Sequence, residues 1–117
     1  MDFSPATLVN LMLQLSKDID DAQDILEKAV HVEADAQDAL INARAEAWKK
    51  VEGRSREERD AYVDQMTRVQ KVNYTRAVGL SKASLEKVRN KRQELSALQT
   101  AGNSIREEAA LARTGPQ

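Results

Sequence analysis

Asn42 to Glu58 reads NARAEAWKKVEGRSREE, the end of one long helix, a hinge and the start of another. Gly53 is the only glycine between Met1 and Val78. Glycine takes the left-handed backbone just past a helix end without a Cβ clash. Directly after it, Ser55-Arg56-Glu57-Glu58 forms a capping box, in which the Ser55 hydroxyl accepts from the Glu58 amide and Glu58 reaches back to the Ser55 amide. Positive charge crowds this hinge in Lys49, Lys50, Arg54, Arg56 and Arg59, and the single tryptophan, Trp48, precedes it. A basic, aromatic-flanked tip on a plain helical chain is the stretch most suited to carry function.

Working backwards from the hinge, Leu8, Met12, Leu15, Ile19, Ala22, Leu26, Ala29, Glu33, Ala36, Leu40, Ala43 and Ala47 alternate spacings of four and three, which makes one seam along one helix. Ser4 and Pro5 supply an N-cap and a first helical residue. A second partial stripe, Leu11, Ile25, Val32 and Ala39, widens the apolar face, as expected of a helix that touches more than one neighbour. Leu8 to Leu15 is the densest apolar patch and reads as an oligomer contact.

Forwards from the hinge, Tyr62, Met66, Val69 and Val72 read as a shorter amphipathic stretch. The register drifts near Asn73 and Tyr74, and Gly79 follows, so a kink or short break is expected between Val72 and Leu80. It recovers at Ser84, Val88, Lys91, Leu95, Leu98, Gly102, Ile105, Ala109 and Ala112. The expected fold is all-α: a long helical hairpin with a kinked or split second arm, assembling into a helical oligomer. It forms a single domain over residues 1–113, with a helix over about 5–52, a hinge at 53–55, one or two helices over about 56–113, and a flexible tail at 114–117.

Composition narrows the chemistry. The 117 residues leave no room for a second independent core, and 32% are charged. There is no cysteine, and His31, the only histidine, reads as a partly buried helix residue, so zinc fingers and His-based triads are excluded. No glycine-rich phosphate loop or nucleophile–base pair occurs, and the expectation is a protein that is not an enzyme and needs no cofactor or metal. Asp18, Asp20, Asp21 and Asp24 read as solvated surface rather than a cation site. No apolar run approaches the roughly 18 residues of a membrane span, and no signal-peptide pattern opens the chain, so the expectation is a soluble cytoplasmic protein.

Charge is divided unevenly. Residues 1–48 hold ten acids and three bases, leaving nine acids against fifteen bases in the remainder. Such asymmetry suits packing between the halves or a surface that holds a polyanion. Single-stranded nucleic acid needs Lys and Arg along its phosphates and aromatic rings under its bases. Arg44, Lys49, Lys50, Arg54 and Arg56 supply the first, and Trp48, with Tyr62 or Tyr74, the second. The alternative is a buried Trp48 and a solvated basic face that balances the acidic half.

Ala39-Leu40, Ala43-Arg44, Glu46, Trp48 and Gly53-Arg54 resemble a segment of the UvsY recombination mediators of tailed bacteriophages, and LSALQTAGNSIREE (Leu95 to Glu108) is similar to that family's C-terminal helix. The resemblance implies a ring-like homo-oligomer that binds single-stranded DNA and helps a RecA-like recombinase replace single-strand-binding protein, in the host cytoplasm if phage-encoded. Arg44 falls on a family DNA-contacting arginine, while the lysine two residues earlier in the family is Asn42 here. The family's link between oligomerisation and its C-terminal helix falls on Leu95, Leu98, Gly102 and Ile105, which join Leu8, Leu11, Met12 and Leu15 of the apolar patch as expected oligomer contacts. Two other classes fit the same heptads: a coiled-coil scaffold or adaptor without DNA affinity, and an inhibitor whose acidic Asp18–Asp38 stretch imitates DNA.

Overall fold

The computed structural model describes residues 4–113, so Phe3 and the expected 114–117 tail lie outside the described residues. The chain is an all-α helical hairpin with its second arm in two pieces: α1 (Pro5–Lys49), α2 (Arg56–Met66) and α3 (Arg68–Arg113). Ser4 caps α1, its Oγ accepting from the Thr7 amide at 3.2 Å. Ser55 caps α2 by accepting from the Glu58 amide at 3.3 Å.

The first arm ends at Lys49, three residues short of the expected Glu52. Its end tightens through Lys50 N–H to the Ala47 carbonyl and Val51 N–H to the Trp48 carbonyl, spacings of three in place of four. Gly53, with φ +84°, supplies the left-handed residue inside the connecting turn rather than closing the helix. Val51, fully buried, plugs the base of that turn.

Every position of the α1 seam from Leu8 to Ala47 is buried or half-buried. The second arm differs from expectation. Met66, Val69 and Val72 are exposed, and the inward positions are Val63, Thr67, Gln70, Tyr74, Ala77, Ser81, Ser84, Val88, Lys91, Leu95, Leu98, Gly102 and Ile105. That series keeps the four-three alternation throughout, so the register does not drift at Asn73. Ala109 and Ala112, at the end of the expected seam, are exposed, and so is His31 on α1.

The break in the second arm also lies elsewhere. It falls at Thr67, not between Val72 and Leu80: the Thr67 hydroxyl donates to the Val63 carbonyl at 2.7 Å while its backbone takes φ −110°, ψ 13°. A threonine bonded back to the carbonyl four residues earlier often bends a helix, and Thr67 does so from a buried position, whereas Thr75 and Thr100 make the same bond from exposed positions within an unbroken α3 and one exposed glycine only weakens a helix. Gly79 sits within α3, with open space where a Cβ would stand. Gly79→Ala is therefore expected to raise stability by about 0.5–1 kcal/mol in urea denaturation, and Gly53→Ala to lower it by about 1–2 kcal/mol because of its positive φ.

The contacts group into two compact units, residues 4–24 with 86–113, and Ile25–Leu85. In the first, the buried apolar side chains are Leu8, Leu15, Ile19, Ala22 and Val88, and Lys91 lies 3.9 Å from Asp18. Gly102 faces Leu8 and Met12 so closely that a Cβ there would stand 3.2 Å from Leu8 Cδ2. In the second unit, Ala29, Ala47, Val51, Val63, Thr67, Ala77, Ser81 and Ser84 form a core of small side chains, which allows close approach of its helices.

Candidate nucleic-acid interface

The hinge residues are set by the ends of α1 and α2. Trp48 lies in the last turn of α1 with 38% of its surface exposed, so it is not buried beneath the tip. Lys50 and Arg54 stand in the turn, and Arg56 opens α2. The Arg54 guanidinium lies over the Tyr62 ring, 5.3 Å from its centroid, a cation–π contact that stiffens an otherwise free side chain.

Two of the expected cations already face acids. Arg44 is 4.0 Å from Asp64 of α2, and Lys49 Nζ donates to Glu46 at 3.0 Å. That bond, with the Lys49 charge and then the Lys50 charge, holds the Glu46 carboxyl below its usual pKa. The sign follows: the pair's small contribution is present above the ordinary carboxylate pKa and is lost as pH falls through the lowered value. In a carboxyl-detected NMR titration, Lys49→Ala is expected to return Glu46 upward towards the ordinary range.

Lys50 and Arg56 form no ion pair among the described residues. Where the second arm bends, Ala61, Asp64, Gln65, Arg68, Lys71 and Val72 line an open hollow. Arg68 and Lys71 thus stand beside the α2–α3 bend, two cations outside the site expected from the hinge, which the excess of bases after residue 48 signalled by composition and not by geometry. Within this second unit the tip offers four exposed cations, Lys49, Lys50, Arg54 and Arg56, around an exposed indole.

No protein-family model, curated protein or solved structure matches the chain. The interface is accordingly read from its own chemistry. Among the described residues no group of three or more acidic or histidine side chains is placed to hold a metal ion, and no helix is long and apolar enough to cross a membrane.

The expected oligomer contacts all lie in the other unit, where the chain uses most of them itself. Leu8 and Leu15 are buried, and Met12, Leu95, Leu98, Gly102 and Ile105 are half-buried, while Leu11 remains exposed. Beside Gly102 an apolar hollow opens between Pro5, Val9, Ile105 and Ala109.

Proposed function

We propose that this protein is a non-enzymatic binder of single-stranded DNA that grips the strand at its basic tip. The observation that carries the reading is the exposed Trp48 standing beside a turn that bears Lys50, Arg54 and Arg56. Cations there displace counterions from the phosphates, and the indole offers a stacking face that any base can use. The resemblance to UvsY-like mediators adds the role: helping to load a RecA-like recombinase where single-strand-binding protein sits, as a cytoplasmic homo-oligomer.

A second reading is a coiled-coil scaffold or adaptor without DNA affinity. It is favoured by the partners of Arg44, Lys49 and Arg54, which face Asp64, Glu46 and Tyr62 of the same chain.

Fluorescence anisotropy of a labelled single-stranded oligonucleotide, with a duplex for comparison, separates the two across a salt titration. Salt-sensitive preference for the single strand supports the first. Absence of binding at low salt by a folded sample leaves the second.

A further inference from the structure

Within Ile25–Leu85, one flank of the hairpin carries apolar side chains that the chain itself leaves uncovered. Ile25, Val32 and Ala39 repeat at spacings of seven and so form one stripe beside the α1 seam, while Arg44 and its partner Asp64 lie on the other flank. On the second arm, Met66, Asn73 and Leu80 repeat in the same way. The two stripes meet in a groove lined by Val32, Ala36, Asn73, Arg76, Ala77 and Leu80, in which Val32 is 52% and Leu80 54% exposed.

The charges around this groove are divided by helix. Residues 25–40 of α1 carry Glu27, Glu33, Asp35 and Asp38 against Lys28, and residues 68–85 of α3 carry Arg68, Lys71, Arg76 and Lys82 with no acid. None of these charged groups is in an ion pair with another described residue. Arg76 walls the groove from α3, and Asp35 stands on α1 one turn beyond Val32.

We propose that a second copy of this chain covers the groove, the two hairpins meeting face to face about a two-fold axis that runs along the helices. Only that axis lays the acidic α1 of one copy on the basic α3 of the other; a two-fold axis across the helices would stack acid on acid. Ile25, Val32, Met66 and Leu80 then close into a shared apolar layer. Asp35 of each copy faces Arg76 of the other, so one salt bridge is made twice. A polyanion is the poorer occupant, because the groove is apolar and its α1 wall is acidic.

The test uses the full chain without DNA, so its outcome is separate from that of the DNA-binding proposal. Light scattering and sedimentation over about 1–100 μM should give a dimer or a multiple of it. Leu80→Asp is expected to raise the dissociation constant at least about 100-fold, since it places a charge in the apolar layer. Asp35→Arg and Arg76→Asp should each weaken association by about tenfold, and the two together should restore it, because the swap rebuilds both bridges. Arg76 and Asp35 are exposed, so circular dichroism should show unchanged helix in these variants, and they carry the test if Leu80→Asp loses structure. A monomer at 100 μM, an odd-numbered assembly, or a mass indifferent to both Leu80→Asp and the single charge reversals overturns the proposal.

Discussion

Val63→Asp is expected to unfold the Ile25–Leu85 unit, while Val69→Asp, six residues along the same arm, leaves it intact. Val63 has no exposed surface and Val69 is 67% exposed. An aspartate at position 63 would be an unpaired charge among Val51, Ala47 and Thr67 of the same core, a change that costs about 4 kcal/mol or more. For a chain of this size, that corresponds to a fall in Tm of about 15 °C or more. At position 69 the carboxylate meets water, and the change should stay within about 0.5 kcal/mol. Thermal melts followed at 222 nm decide the matter. Equal losses for both variants would mean that the second arm is turned differently about its axis. Val63→Ala keeps the comparison usable if the aspartate variant cannot be purified, with an expected loss of about 2 kcal/mol.

The second large effect concerns the tip. Lys50→Ala, Arg54→Ala and Arg56→Ala combined should lower the slope of log affinity against log salt for single strands by about 2, at about 0.7 per lost phosphate contact. Binding at low salt should weaken by about 10- to 100-fold. Trp48→Ala should weaken it by about 1–3 kcal/mol with the slope unchanged, because stacking releases no counterions, and Trp48→Phe should recover part of the loss. Arg44→Ala and Lys49→Ala should do less, since Asp64 and Glu46 already screen those charges. All these side chains are exposed or half-buried, so the helical fold is retained and a loss of affinity reports on the surface. A triple variant with an unchanged slope would remove the tip as the site.

The first arm was readable almost residue by residue. Its seam is built from Leu, Ile and Ala at four-three spacing, and a long amphipathic helix buries such a stripe whatever it packs against. The caps at Ser4 and Ser55 and the left-handed Gly53 were legible too, because they depend only on the backbone within one turn, although of the expected capping box only the Ser55 half is made: among the described residues the Glu58 carboxylate makes no return bond to the Ser55 amide. The second arm misled. Met66, Val69 and Val72 are apolar and exposed, while Thr67, Gln70, Ser81 and Ser84 share the inward positions with Val63 and Ala77. Apolar character picks out the core only where the facing helix has room for bulk. Opposite the alanines of the facing segment, Ala29, Ala36, Ala43 and Ala47, small residues such as Thr67, Ser81 and Ser84 share the inward face with Gln70 and Tyr74.

The tip follows the same division. Composition and order along the chain put the cations and Trp48 around the hinge, and burial of Val51 with an exposed Trp48 could not be told from its reverse. The partner of Arg44 was also beyond the linear pattern, because Arg44 and Asp64 stand twenty residues apart and meet only when the hairpin closes, whereas Lys49 and Glu46 pair within one turn. The residues alone therefore settled helix, cap and turn, whose causes are local. The inward face of the second arm, the pairing of Arg44 with Asp64 and the uncovered groove beside Val32 and Leu80 were decided by tertiary packing, because each depends on what the facing helix brings opposite, whereas the bend at Thr67 goes with a bond inside one turn that the apolar pattern alone does not single out.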